Sequence, residues 1–165
     1  MRDYPGLVVF DLDFTLWDCG GTWCDCLSPP FRSQSGNLVD RDGRIVSLYQ
    51  DVHSILDQCD QVGTVMALAS RTEQPSWART LIERLGVRDR FQFAEIYPSS
   101  KLKHFGALRE ASDVDYEDML FFDDETRNIV EVQTLGVTAI HVARGMSMQV
   151  FEDGLDRWRG RRDNH

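Results

Sequence analysis

Two carboxylates stand two residues apart, Asp11 and Asp13, at the end of the apolar run Leu7-Val-Val-Phe10, with Thr15 just behind them. Carboxylates that close repel one another when both are ionised, and a divalent cation or a shared proton is the usual relief. Three more stretches end in the same abrupt way. The apolar run 64–69 gives way to Ser70, Arg71 and Thr72, the run 119–122 to Asp123 and Asp124, and Lys101 follows the pair Ser99-Ser100. Four acids, a hydroxyl, an arginine and a lysine describe a site that holds a cation and an oxyanion together. Mg²⁺ suits such a set, because it prefers hard oxygen ligands and keeps waters that a phosphate can replace. In phosphoryl transfer, charge spreads over the equatorial oxygens, so catalysis rests on positioning and on cations placed where that charge sits. Ser70 and Lys101 would face that phosphate.

These residues act together only if the fold collects them. Leu7 to Phe10 is apolar at every position, as in a strand buried on both faces of a parallel sheet. Asp51 reads as a helix N-cap, with Val52, Ile55, Leu56 and Cys59 at helical spacing until Gly63. A strand at 64–69 follows, then a helix marked by Trp77, Ala78, Leu81, Ile82 and Leu85 that stops at Gly86. Phe91 to Tyr97 is a third strand. Ser99 or Ser100 caps a helix predicted to turn Leu102, Phe105, Leu108 and Ala111 to the core. Met119 to Phe122 is a fourth strand, a short helix runs from Ile129 to Leu135, and Thr138 to Val142 is a fifth strand. Ser147 caps a last helix carrying Val150, Phe151, Leu155 and Trp158, and the polar tail 159–165 is expected to fray. The alternation predicts a three-layer, Rossmann-like α/β fold whose right-handed crossovers put every strand's carboxyl end on one edge, where such sheets bind ligands.

Each residue also has an ordinary explanation. Ser70 could cap a helix, Lys101 or Lys103 could simply be solvated, Arg71 could pair with Glu73, and Asp123 and Asp124 could cap the helix they precede. Together these require every strand to end in a coincidence.

Between the first strand and the first helix, residues 18–50 lack helical periodicity and carry Gly20-Gly21, Pro29-Pro30 and Ser33-Gln-Ser-Gly36. Two β-prone runs around Asp42-Gly43 predict a hairpin within 37–49, and hence a small flap over the site rather than a cap domain. Trp17, Trp23 and Phe31 would shield the site from water. Three of the four cysteines, Cys19, Cys24 and Cys26, crowd this stretch. Their C-x4-C-x-C spacing lacks the paired pattern of common zinc sites, although His53 could complete a ligand set. Ordinary thiols beside the site are the expectation.

At 165 residues, 42% hydrophobic and 27% charged, the chain fits a single domain over 1–165. A formal charge of -9 argues against nucleic acid as a partner, since duplex binding depends on cationic contacts to phosphate. The start leads straight into the first strand without a signal-peptide hydrophobic region, and no apolar run approaches a membrane span. A cytoplasmic location is expected.

Phe-Asp-Leu-Asp-Phe-Thr-Leu-Trp at 10–17, Ala-Ser-Arg-Thr at 69–72, Tyr-Pro-Ser-Ser-Lys at 97–101 and Phe-Phe-Asp-Asp-Glu-Thr-Arg-Asn at 121–128 resemble the motifs of the haloacid dehalogenase superfamily, and specifically its magnesium-dependent phosphatase-1 group. The resemblance covers roughly residues 5 to 155; the Cys-rich loop 18–26 departs from it. It implies a Mg²⁺-dependent acid phosphatase, similar to protein-tyrosine phosphatases in its ester chemistry, acting on small phosphomonoesters such as sugar phosphates and on phosphotyrosyl groups. It implies Asp11 as the nucleophile forming an aspartyl-phosphate, Asp13 as acid and then base, Ser70 and Arg71 as substrate contacts, and Lys101 as the neutralising cation. Mg²⁺ would be held by Asp11, the Asp13 carbonyl and an acid of the last motif, with Asp124 as direct ligand and Asp123 behind it. Two other readings compete. A phospho-acceptor signalling module also has an acidic Mg²⁺ pocket, but its acceptor Asp follows a later strand. A non-hydrolytic relative that transfers a phosphate-bearing acyl group needs carrier domains for which 165 residues leave no room.

Overall fold

The computed structural model describes residues 3–164. In chain order its strands are β1 (Leu7–Phe10), β2 (Trp17–Cys19), β3 (Arg32–Gln34), β4 (Asn37–Val39), β5 (Ile45–Leu48), β6 (Val65–Ser70), β7 (Phe93–Ile96), β8 (Met119–Asp123) and β9 (Thr138–His141). Its α-helices are α1 (Val52–Val62), α2 (Pro75–Arg84), α3 (Lys101–Ser112), α4 (Thr126–Gln133) and α5 (Met148–Asp163).

A strand that is apolar at every position needs an apolar layer on each side. β1 accordingly occupies the centre of a parallel sheet of order β7-β6-β1-β8-β9. In register, Val9 lies between Ala67 and Phe121, and Phe10 between Leu68 and Phe122. Val8, Phe10, Leu68, Leu120 and Phe122 pack with the inner faces of α1, α2 and α5. Leu7, Val9, Ala67, Ala69, Met119 and Phe121 pack with Phe105 and Leu108 of α3 and with Ile129 and Val132 of α4. Each fully buried Phe or Leu in these layers contributes roughly 1.5–3 kcal/mol relative to exposure.

The flap is larger than a hairpin. The expected pair β4 and β5 is present, with Leu38 opposite Val46, and β2 and β3 extend it into a four-stranded antiparallel sheet. The β3–β4 turn is Ser35-Gly36, both with φ near the left-handed region at 52° and 83°, the two-residue geometry that matches strand twist. Asp40, wholly buried, stitches the following turn. Its Oδ1 accepts the Asp42 and Arg44 N–H groups at 3.0 and 2.8 Å, and its Oδ2 accepts the Ser28 N–H at 2.9 Å and the Arg44 guanidinium at 3.3 Å.

Three local expectations give way. The buried face of α3 is Lys101, His104, Phe105 and Leu108, while Leu102 and Ala111 are exposed. The helix is turned so that its first residue reaches the sheet edge. Burial and the Lys101 charge hold the His104 pKa down at about 4, so the neutral ring donates its Nε2–H to the Tyr97 carbonyl at 2.9 Å. Asp51 stands at the α1 N-cap position but makes no cap bond; its carboxylate accepts the Met148 N–H at 2.9 Å instead. The expected frayed tail is helical through Asp163, because Arg159 bonds the Asp3 carbonyl at 2.8 Å, Arg161 the Thr138 hydroxyl at 2.9 Å and Arg162 the Asp118 carboxylate at 2.9 Å. His165 lies outside the described residues.

Candidate active site

Strand alternation decides which way the acids point. Asp11 continues the side of β1 that carries Leu7 and Val9, and Asp123 the side of β8 that carries Met119 and Phe121, so both face α3. There the fully buried Lys101 waits: its Nζ lies 3.1 Å from Asp11 Oδ1 and 3.2 Å from Asp123 Oδ2, and donates to the Ala69 carbonyl. Ser100 accepts the Lys103 N–H, which fixes the helix start and with it the lysine. Lys103 itself lies over the Tyr97 ring. Burial disfavours the Lys101 charge, but Asp11 and Asp123 raise its pKa above the usual lysine value.

After Asp11 the chain makes one tight turn, in which Thr15, Leu16 and Trp17 all donate to the Leu12 carbonyl. Phe14 is left-handed in that turn, φ 60°, at a cost of about 1–3 kcal/mol for a bulky residue. Its N–H bond to the Trp17 carbonyl at 2.9 Å and its ring contact with Trp23 at 5.8 Å hold it there. The turn brings Asp13 back beside Asp11. Asp13 Oδ1 accepts the Trp17 indole N–H and the Cys24 N–H, each at 2.8 Å, and the Cys19 thiol at 3.8 Å. Trp17 is therefore a buried support for Asp13, and Trp23, half exposed, is the aromatic at the mouth.

The two acids after β8 differ. Asp123 has no exposure: Oδ1 accepts the Glu125 N–H at 2.8 Å, and Oδ2 accepts the Asn128 amide at 3.0 Å beside Lys101. Asp124 lines the cavity, its backbone carbonyl held by the His141 ring at 2.8 Å. The Ser70 hydroxyl accepts the Thr72 N–H at 3.3 Å and so does not cap α2. Arg71 donates to the Asn128 side-chain amide oxygen Oδ1 at 3.1 Å rather than pairing with Glu73. Asn128, joining Arg71 to Asp123, is a site residue to which sequence reasoning gave no role. Its five-residue spacing from Asp123 at the end of the last motif was the available signal.

All of these converge on a cavity of about 330 Å³ lined by Asp11, Asp13, Ser70, Arg71, Lys101 and Asp124, with Trp23 and Arg127 at its rim. A larger cleft of about 620 Å³ between α2 and β7 sets exposed polar side chains over an apolar floor of Leu68, Ile82, Phe91, Ala94 and Ile96.

Electrostatics sets this edge apart. Burial raises the Asp11 pKa to about 7, against Lys101 and with help from Asp124 and Asp13. Burial and then Asp11 bring Asp123 to about 7, and burial, Asp123 and Glu125 bring Asp124 to about 6 although its hydrogen bond with Asp11 opposes the rise. Burial also raises Asp13, outweighing its Trp17 and Cys24 donors, and pushes the Cys19 and Cys24 thiols above the ordinary range. One oxygen from each of Asp11, Asp123 and Asp124 lies within 4.8 Å of the others. Three carboxylates against one lysine leave negative charge uncompensated, and an all-oxygen donor set fits a hard divalent cation. Among the described residues this is the only such ligand cluster; Cys26 and His53 are exposed and belong to none.

Residues 3–161 match the Acid Phosphatase family. The chain is 42% identical over 158 residues to human magnesium-dependent phosphatase 1, covering 94% of this chain and 88% of that protein. It is 33% identical over 162 residues to a HAD-like hydrolase superfamily protein of Schizosaccharomyces pombe, covering 90% and 92%. In fold it is similar to the crystal structure of a HAD-superfamily hydrolase from Ehrlichia chaffeensis, with a TM-score of 0.66 at 14% identity over 97% of this chain and 98% of that one. No helix among the described residues is long and apolar enough to cross a membrane. With a parallel sheet that gathers its acids and its lysine on one edge, and with relatives matched over nearly their whole length, the chain belongs to the acid phosphatase family, in the magnesium-dependent phosphatase-1 group of the haloacid dehalogenase superfamily.

Proposed function

We propose that this protein is a Mg²⁺-dependent phosphomonoesterase working through an aspartyl-phosphate on Asp11. The observation that carries the reading is the set of three carboxylate oxygens within 4.8 Å of one another, with the buried Lys101 ammonium bonded to two of the acids. Asp11, Asp124 and the Asp13 backbone carbonyl would hold the cation, with Asp123 kept behind them by its bonds to Asn128, Glu125 and Lys101. When bound, Mg²⁺ offsets the charge between a phosphoryl group and the Asp11 carboxylate.

Asp11 attacks phosphorus while the bond to the leaving oxygen breaks, and Asp13 gives that oxygen its proton. Asp13 then takes a proton from the water that attacks the phosphorus of the aspartyl-phosphate, which releases phosphate and restores Asp11. Ser70 and Arg71 hold the phosphoryl oxygens, and Lys101 balances the charge of nucleophile and phosphate. The cavity of about 330 Å³ and its open rim suit small sugar phosphates and exposed phosphotyrosyl groups, while the net charge of -9 disfavours polyanions. Four unpaired thiols fit work in a reducing cytoplasm by a single capless domain.

A screen over sugar phosphates, phosphotyrosine and nucleotides, with Mg²⁺ and with chelator, tests this. Turnover of at least one small ester only when Mg²⁺ is present is the expected result. Equal turnover in chelator, or none of any ester, would overturn the reading.

A further inference from the structure

The imidazole of His104 has no part in the chemistry above, yet it is wholly buried one turn along α3 from Lys101. Its Nε2–H donates to the Tyr97 carbonyl at 2.9 Å, and its ring meets the Tyr97 ring edge-on at 4.5 Å. Among the described residues nothing donates to its Nδ1. A buried nitrogen without a partner costs stability that an apolar side chain of similar size would not. Packing alone therefore does not account for a histidine here.

Tyr97 is the joint between two elements of the site. Its N–H donates to the carbonyl of Ser70, the last residue of β6, at 3.1 Å, and its own carbonyl receives His104. Only Pro98, Ser99 and Ser100 separate it from Lys101, whose ammonium returns to the Ala69 carbonyl next to Ser70. The His104 bond closes this turn from the α3 side.

Resting on the proposed roles of Ser70 and Lys101, we infer that His104 is a positioning residue of the phosphoryl-transfer site. By tying α3 to the residue that holds the end of β6, it fixes the Lys101 ammonium relative to the Ser70 hydroxyl. It touches no substrate and moves no proton. Its effect falls on the transition state, where charge on the equatorial oxygens must meet both groups at once, and hardly on the ground-state ester.

That division supplies the test. The Mg²⁺-loaded enzyme and its His104→Leu, His104→Asn and His104→Gln variants are compared for kcat and KM on 4-nitrophenyl phosphate. Inhibition by orthovanadate, a five-coordinate mimic of the transition state, is measured beside inhibition by inorganic phosphate. His104→Leu fills the space without a donor, and His104→Asn is too short to reach the Tyr97 carbonyl, whereas His104→Gln puts an amide N–H close to the position of Nε2. The first two should lower kcat about ten- to a hundredfold and weaken vanadate by a similar factor, with KM and phosphate inhibition changed less than about twofold. His104→Gln should recover most of both. The ratio of the vanadate and phosphate inhibition constants is taken on one preparation, so a variant that folds poorly still reports it. A parental ratio and kcat in His104→Leu and His104→Asn, or a His104→Gln as impaired as they are, would reduce the imidazole to packing and overturn the inference. Lys101→Gln run alongside separates the two readings. A loss of kcat and vanadate affinity in Lys101→Gln but not in the histidine variants sinks the inference alone, and no loss in Lys101→Gln sinks the role of Lys101 together with it.

Discussion

Asp13 and Asp40 are both buried carboxylates, one just before the flap and one inside it, and their environments drive them in opposite directions. Burial raises each. At Asp40 it is overcome by backbone N–H groups from Ser28, Arg44 and Asp42 and by the Arg44 guanidinium, which together hold the pKa below the usual carboxylate value. At Asp13 the donors crowd one oxygen, burial wins, and the pKa rises. A carboxylate whose donors outweigh its burial stays an ion and holds structure, while one whose burial outweighs its donors is shifted toward its neutral form. The acids after β8 divide in a related way. Asp123 spends its oxygens on Glu125, Asn128 and Lys101, and Asp124 turns to the cavity.

The largest expected effect is at the catalytic edge. Asp11→Asn should cut turnover by more than about 10³-fold, because an amide of the same volume is not a competent nucleophile. Its thermal midpoint should not fall, since a desolvated charge is removed. Near-normal metal-dependent turnover in that variant would end the covalent reading.

Asp40→Ala should instead cost about 2–3 kcal/mol of stability, read from the denaturant midpoint, by leaving buried N–H donors unpaired. A variant that unfolds like the parent would break the contrast between the two acids.

A pH series of melting temperatures in chelator sharpens it. Asp11 and Asp123 near 7 and Asp124 near 6 stand above their unfolded value of 3.8. The stability they contribute is full below that value and is lost as the pH rises through 6 and 7. Asp40, held low, contributes stability that is present above its unfolded value and is lost as the pH falls through its lowered pKa. The metal-free midpoint should therefore decline from pH 5 to pH 8, and Mg²⁺ should restore it at the upper end by binding the ionised cluster. A metal-free profile that rises over that interval would refute the assignment. The smallest effect is at the rim: Trp23→Ala should raise KM about two- to fivefold with kcat little changed, because the indole adds contact area without touching the reacting atoms. An unchanged KM for both sugar and aryl esters would leave Trp23 as covering only.

The parallel sheet and its acidic edge were readable because β1, β6 and β8 each announce themselves as an apolar run stopped by charge. The direction of α3 was not. An apolar stripe pointed to Leu102 and Ala111, and the helix buries Lys101 and His104 instead, since two carboxylates and a carbonyl repay the lysine's desolvation. The turn between β3 and β4 escaped notice because Ser35-Gly36 lacks the Asn or Asp that usually marks such a turn. Asp40 has no signal of its own in the sequence, since its partners Ser28 and Arg44 come together only when the flap closes. The anchoring of Arg159, Arg161 and Arg162 depends on acceptors distant in sequence, which a polar tail does not advertise.

The central place of β1 also sets an order of assembly. Asp11 and Asp13 are made first, yet the strand that carries them is flanked by β6 and β8, and Asp123 belongs to the second of these. The Thr15 carbonyl receives its partner only from Met146. A chain growing from its amino end must therefore be nearly complete before its acids meet Lys101 and one another. Until then, Asp11 travels as an ordinary solvated aspartate, and chains broken off before β8 carry the first motif without the partners that surround it in the fold.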